Sequence, residues 1–285
     1  MKLCRFQLPP RPPQPGLVLD DATVLDLAAA GIDRLQPLLE GDDLVARLAD
    51  LSKQNLPHVP LAGLNLLAPI EQQEVWAAGV TYLRSKKARM EESDFSANAY
   101  DRVYEAERPE LFFKALPEKV VPPGEPVGIR RDARWNVPEP ELALVINSHC
   151  QIVGYTIGND MSSRDIEGEN LLYLPQAKVY HRSCAMGPFI TVGATESEAR
   201  SWKISLTIRR AGEIVFAGET SVGQIKRSFA ELAGFLFRSQ VFPHGAVLLT
   251  GTGVVPADTL TLAAEDVVSM HISGIGVLEN PVVLV

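Results

Sequence analysis

Pro138-Glu139-Pro140-Glu141-Leu142-Ala143-Leu144-Val145-Ile146, followed by Ile152-Val153-Gly154-Tyr155-Thr156-Ile157-Gly158-Asn159-Asp160, decides how this chain is read. Glu139 and Glu141 stand two apart at the head of an apolar run. A strand has a side-chain period of two, so both carboxylates leave the same face. Pro140 has no backbone N–H, so a strand must start here or lie at an edge. If the two runs pair as a hairpin, Asp160 joins the glutamates and three carboxylates converge. Three anions at one point repel strongly, and a hard divalent cation relieves that repulsion. Oxygen-only ligands suit Mg²⁺, Mn²⁺ or Ca²⁺ rather than Zn²⁺. A solvated acidic strand edge is the other reading of the same spacing.

Working outward, residues 111–285 read mostly as strands with turn punctuation. These are Glu141–Ile146, Ile152–Ile157, Ile190–Val192, Lys203–Arg209, Glu213–Glu219, Ala246–Leu249 and Val267–Ile272. One clear helix is expected over Ile225–Ser239, with Ile225, Phe229, Leu232, Leu236 and Phe237 on one stripe. Toward the N-terminus, Leu3–Gln7 alternates as a strand. The tract Pro9–Pro15 predicts an exposed extended turn, and Leu17–Asp20 the returning strand. Thr23–Ala30 and Asp43–Lys53 predict short helices, the second capped by Asp42. Pro57–Pro69 reads as a linker. A short strand, Trp76–Val80, is expected to lead into a helix reaching Lys87. The expected organisation is a small N-terminal α/β domain over 1–68 and a catalytic domain over 69–285. Many short strands with few helices indicate an α+β, mostly β fold, a mixed β-roll or sandwich.

The chain has 285 residues, 46% hydrophobic and 22% charged, as in an ordinary globular protein. Twenty-seven basic residues against thirty-five acidic ones give a net charge of −8. That excludes nucleic acid and an anionic membrane as main partners. It leaves room for an anionic small molecule, because a local cation reverses the field. No apolar run approaches a membrane span. Met1–Phe6 leads into the proline tract, so no secretion signal is expected. Cys4, Cys150 and Cys184 are odd in number and far apart, which suits free thiols in a reducing cytoplasm. None belongs to a C-x-x-C motif. The five histidines form no H-x-x-H or H-x-x-x-H pair and read as structural, with His181 the nearest in sequence to Lys178.

Several further motifs occur in a particular order. Gly79-Val80-Thr81-Tyr82 precedes Arg108-Pro109-Glu110-Leu111-Phe112-Phe113-Lys114. Then come Glu139-Pro140-Glu141 and Asp160-Met161-Ser162-Ser163-Arg164-Asp165, and Lys178 precedes Gly187-Pro188. Leu249-Thr250-Gly251-Thr252-Gly253 and Ile272–Val282 close the series. In this ordered set, residues 65–285 resemble the fumarylacetoacetate hydrolase family. Within it, Leu172-Tyr173-Leu174-Pro175-Gln176-Ala177-Lys178-Val179-Tyr180 is most similar to the branch of 2-keto-3-deoxy-D-arabinonate and -xylonate dehydratases.

The resemblance implies a family-type β-roll and a Mg²⁺ site made by Glu139, Glu141 and Asp160, with Mn²⁺ or Ca²⁺ as possible substitutes. A bound 2-keto acid would chelate the metal, which acidifies the carbon beside the keto group and stabilises the enolate. Lys178 would face the metal and touch the substrate, and Lys178 or Glu110 would take the proton. Arg164 would line the substrate pocket. Thr252, in a glycine-rich turn, offers an N–H and a hydroxyl to a substrate carboxylate. The implied reaction is dehydration of a 2-keto-3-deoxypentonate to 2,5-dioxopentanoate by a cytoplasmic homodimer or homotetramer. From the residues alone, Lys178 also reads as a surface lysine, Glu110 as a partner of Arg108 or Lys114, and Arg164 as paired with Asp165.

Four positions depart from the family's hydrolases. Their water-activating His and Glu are replaced by Ser85 and Ala88, Glu167 stands at a usual Gln, and Gly253 at a usual Pro. The first change disfavours carbon–carbon hydrolysis. Acylpyruvate-type hydrolysis, oxaloacetate-type decarboxylation and non-catalytic binding of 2-keto acids remain as alternatives. Substrate length and stereochemistry depend on loops, notably Glu91–Asp101.

Overall fold

Pro140–Ile146 pairs antiparallel with Ile152–Asp160, placing Glu141 opposite Gly158 and Leu142 opposite Ile157. This computed structural model describes residues 1–83 and 102–285. The strand begins at Pro140, where the missing N–H costs no ladder bond. Its side chains alternate between clusters. Leu142, Leu144 and Ile146 enter the main core, while Ala143 and Val145 enter clusters on the other face. Each such leucine or isoleucine contributes roughly 1.5–3 kcal/mol of burial. A one-residue slip in register would therefore send Leu142, Leu144 and Ile146 to the face of Ala143 and Val145 and carry the acids away from Asp160.

This hairpin lies at the middle of an eleven-stranded sheet among the described residues. On one side Ile152–Asp160 pairs with Cys184–Thr191, which pairs with Lys2–Gln7 and then Gln14–Val18. On the other side Pro140–Ile146 pairs with Ala246–Leu249. That strand runs parallel to Glu74–Gly79, which pairs with the edge strand Glu110–Ala115. A second sheet has the order Glu213–Ser221, Lys203–Arg210, Val267–Ile272, Gly276–Leu284 and Val127–Ile129. The main core joins the two sheets and takes in the helix Phe229–Phe237. Helices Gln36–Leu39 and Leu44–Leu51 pack Leu38, Leu39, Leu44, Leu48 and Leu51 against Leu3, Val145 and Ile190 of the large sheet. The fold is α+β and mostly β, as expected.

Several elements differ from expectation, and the causes are local. Thr23–Ala30 is not one helix. Thr23–Asp26 is a strand with Leu25 opposite Leu17, and Leu27–Ala30 is a 3₁₀ turn. Asp26 accepts the Ala28 N–H at 3.0 Å and so starts that turn. Asp42 does not cap the next helix: Asp43 holds the cap position without a side-chain bond. Gln14 and Pro15 are buried strand residues rather than the end of an exposed turn, with Pro15 opposite Arg5. The stretch Pro57–Pro69 is not a bare linker. His58–Pro60 pairs with Thr23–Leu25, and Asn65–Leu67 with Arg5–Gln7. The long helix starts later than Ile225, because Ser228 caps it by accepting the Glu231 N–H at 3.1 Å. The helix expected toward Lys87 and the loop Glu91–Asp101 extend over residues 84–101, outside the described residues. Among the described residues no helix is long and apolar enough to cross a membrane.

Candidate active site

The head of the central hairpin assembles the acidic cluster. The Asp160 N–H donates to the Glu139 carbonyl at 3.0 Å, and the Glu139 N–H to Asn159 Oδ1 at 3.3 Å. Glu139 and Asp160 thus stand side by side, with Glu141 two residues further along its strand. All three are at most 2% exposed, and one oxygen of each lies within 4.8 Å of the others. The acidic edge is therefore not solvated.

Three buried cations face them. Lys178 Nζ donates to Glu139 Oε2 and Asp160 Oδ2, each at 2.9 Å, and to Ser162 Oγ at 2.5 Å. Arg164 Nη2 reaches Glu139 Oε1 at 2.6 Å. Lys114 Nζ lies 2.5 Å from Asp160 Oδ1. The formal charges balance, three against three, but unevenly in space. Glu141 Oε2 accepts the Gly251 N–H at 2.5 Å. Burial pushes the Glu141 carboxyl well above the usual range; the neighbouring charges of Asp160 and Glu139 push it further, and Lys178 and the Gly251 N–H oppose this in part.

That imbalance tests whether a cation fits. A cluster of carboxylate oxygens in which one acid is held up by its neighbours' charge suits a hard divalent ion. Residues from five segments close the cavity around it: Ala78, Gly79, Val80, Phe112, Glu139, Glu141, Asp160, Arg164, Gly251 and Thr252. Gly251 has a positive φ of 86°, and a Cβ there would collide with Thr81 Oγ1. Thr81 in turn donates to the Thr250 carbonyl at 2.6 Å, fixing the turn that presents the Gly251 N–H.

The remaining sequence candidates take definite places. Lys178 is fully buried at the end of the helix Leu174–Lys178, which excludes the surface reading. Arg164 pairs with Glu139, while Asp165 accepts the Arg134 N–H at 2.7 Å. Glu110 lies opposite Gly79, and its carboxylate fills the space where a Cβ on Gly79 would stand. It therefore lies against the cavity wall. Thr252 lines the cavity, and its hydroxyl also donates to the Val254 carbonyl at 3.1 Å. Glu167 is buried one turn along the helix from Arg164, and His181 is exposed. Ser85 and Ala88 lie outside the described residues. Lys114 and Ser162 are members of the network that sequence reasoning did not assign. Period two along Glu110, Phe112 and Lys114 puts all three on one face of the edge strand, which is the signal that would have found Lys114.

A family model described as fumarylacetoacetate (FAA) hydrolase C-terminal matches residues 74–283. This chain belongs to the fumarylacetoacetate hydrolase family. Within the family, it is 42% identical over 266 residues to a probable 2-keto-3-deoxyxylonate dehydratase of Haloferax volcanii, covering 93% of this chain and 88% of that one. It is 37% identical over 270 residues to a 2-dehydro-3-deoxy-D-arabinonate dehydratase of Saccharolobus solfataricus, covering 93% and 91%. A solved structure of 2-keto-3-deoxy-D-arabinonate dehydratase complexed with magnesium and 2,5-dioxopentanoate superposes with a TM-score of 0.83 at 33% identity. The match covers 100% of this chain and 99% of that one.

Proposed function

We propose that this member of the fumarylacetoacetate hydrolase family is a hydro-lyase that dehydrates a 2-keto-3-deoxypentonate to 2,5-dioxopentanoate with Mg²⁺. The observation that carries the reading is the buried trio Glu139, Glu141 and Asp160, interlocked with Lys178, in a chain closely similar to named dehydratases of that substrate class. Glu139, Glu141 and Asp160 would hold the metal, which when bound supplies Lewis-acid polarisation of a 2-keto acid. Arg164 sets the rotamer of Glu139 and offers positive charge to the substrate's carboxylate. Thr252, which lines the same cavity, would orient the same group. Glu110 is the proton acceptor we favour. Lys178 spends its three N–H groups on Glu139, Asp160 and Ser162, so as an ammonium it gives protons rather than takes them. A carbon–hydrogen bond beside the keto group would break toward Glu110, the bond to the neighbouring hydroxyl would break with a proton from Lys178, and water would leave; loss of a proton from the terminal carbinol carbon and return of protons to the two middle carbons then turn the enone into 2,5-dioxopentanoate and place solvent hydrogen beside the keto group.

The same reading extends to organisation. Residues 1–68 form a small N-terminal unit and 69–285 the catalytic unit; the span of the family match, residues 74–283, supports this. The edge strand Glu213–Ser221, with Ile214 and Val215 exposed, supports assembly as a homodimer or homotetramer. Three unpaired cysteines support a cytoplasmic setting.

The test is turnover of 2-keto-3-deoxy-D-arabinonate and -xylonate with Mg²⁺ or EDTA in D₂O. The expected result is an intact five-carbon product carrying deuterium beside the keto group, and no reaction in EDTA. Pyruvate released from an acylpyruvate, with no sugar acid dehydrated, would overturn the reading in favour of hydrolysis.

A further inference from the structure

Lys114 is as buried as Lys178, and its surroundings are more completely specified. Its ammonium contacts Asp160 Oδ1 at 2.5 Å, the Met161 carbonyl at 3.0 Å and the Lys178 carbonyl at 2.5 Å. The ammonium donates hydrogen bonds to the two carbonyls and meets Asp160 Oδ1 as a close ion pair. Those groups come from two other segments: the end of the strand Ile152–Asp160 and the end of the helix Leu174–Lys178. Lys114 itself stands on the edge strand Glu110–Ala115.

These contacts close a ring. Lys114 holds one oxygen of Asp160 and the backbone of Lys178, and the Lys178 ammonium holds the other oxygen of Asp160 at 2.9 Å. With Oδ1 drawn to Lys114, it is Oδ2 that shares the Lys178 ammonium with Glu139. With its carbonyl tied down, Lys178 cannot withdraw as its helix end frays. We propose that Lys114 is a positioning residue that sets Asp160 as a one-oxygen member of the acidic cluster and fixes the origin of the Lys178 side chain. This rests on the functional reading above for its effect on turnover, but its effect on metal binding does not.

A counter-charge and a clamp predict opposite signs. Removing a positive charge close to the carboxylates should tighten binding of a divalent cation, because like charges repel. Removing a clamp should weaken it, by about 10- to 100-fold, as expected for partners that orient metal ligands. The experiment is calorimetric titration of Mg²⁺ into metal-free wild type, Lys114→Met and Lys114→Gln, with circular dichroism as a check of folding. Weaker binding by Lys114→Met is expected, with Lys114→Gln intermediate because its amide keeps two donors. At saturating Mg²⁺, kcat should fall by about 10- to 100-fold with KM within about threefold. Unchanged or tighter Mg²⁺ binding would overturn the proposal and leave Lys114 a counter-charge. Two unfolded variants would also overturn it, making Lys114 a residue of the fold alone. A wild type that binds Mg²⁺ but dehydrates no sugar acid would sink the functional reading while the Mg²⁺ comparison still decides this one.

Discussion

Asp266, just before the strand Val267–Ile272, and Asp160, at the end of Ile152–Asp160, are equally buried carboxylates. Asp266 is satisfied by one planar fork. Arg210 donates through Nε at 2.8 Å and Nη2 at 2.7 Å, and the Ala263 N–H adds a third bond at 2.8 Å. The Arg210 side chain remains 44% exposed, so its charge is partly hydrated. Asp160 instead shares two lysines, one of which it shares again with Glu139. One arrangement is a closed pair that can be lost without disturbing anything beyond its turn. The other is a mesh in which three acids are crowded together and one lysine, Lys178, holds two of them at once. Crowding of that kind raises the energy of the metal-free protein and lowers that of the loaded one, which is what a binding site requires and a structural pair does not.

The largest expected effect breaks the mesh at its acids. Glu141→Gln and Asp160→Asn should lower turnover on the order of 10³-fold or more, with weaker Mg²⁺ binding by calorimetry. Glu141→Gln should stay folded because it removes a repelling charge, and Asp160→Asn because its amide oxygen can still accept from the lysines. Near-normal turnover by both variants in EDTA would erase the distinction between the two regions. Next in size is Lys178→Met, which keeps the apolar stem. It should cost about 10²-fold or more in kcat while Mg²⁺ affinity changes little. A change confined to KM would reduce Lys178 to a substrate contact.

Asp266→Ala tests the opposite region. It should leave kcat unchanged and destabilise by roughly 1–3 kcal/mol, since the half-exposed guanidinium regains water and the Ala263 N–H loses its acceptor. Urea denaturation would measure it, and a loss of activity without a loss of stability would contradict the division. The smallest effect is a pH slope. The raised folded-state pKa of Glu141 means that its contribution to stability is present below the ordinary glutamate range and is lost as pH rises through the raised value. In EDTA, wild type should therefore lose stability relative to Glu141→Gln across that window. Mg²⁺ should abolish the difference. Parallel curves with and without metal would show that Glu141 is not held up by its neighbours.

Much of the acidic cluster was legible because it follows from local rules. Two glutamates at strand spacing, a proline that fixes the strand start and a returning apolar run suffice to bring Glu139, Glu141 and Asp160 together. The pairing of Lys114 with Asp160 was not legible. Glu110 shares the face but lies roughly 13 Å away along an extended strand, so no local partner marks Lys114, and only the long-range placement of the edge strand brings it to Asp160. The misread segments have the same origin. His58–Pro60 is too short to show alternation, and Thr23–Asp26 carries a helix-compatible pattern into a strand because Gln14–Val18 lies ready to pair with it. The bond of Thr81 to the Gly251 turn, across most of the chain, has no sequence period at all.

Lys2–Gln7 lies inside the large sheet, between Gln14–Val18 and Cys184–Thr191, with Lys2 opposite Thr191. During synthesis that strand and its local hairpin partner emerge early, whereas their inner neighbour leaves the ribosome only after most of the chain. Asn65–Leu67 can cover Arg5–Gln7 early, but the Lys2–Leu3 end of that edge must wait open until Cys184–Thr191 arrives, and the leucines of Gln36–Leu51 are the cover available meanwhile. Closure of that seam also joins the strand that bears Asp160 to the N-terminal strands, so the order in which the nascent chain assembles makes the acidic cluster one of the last features to be completed.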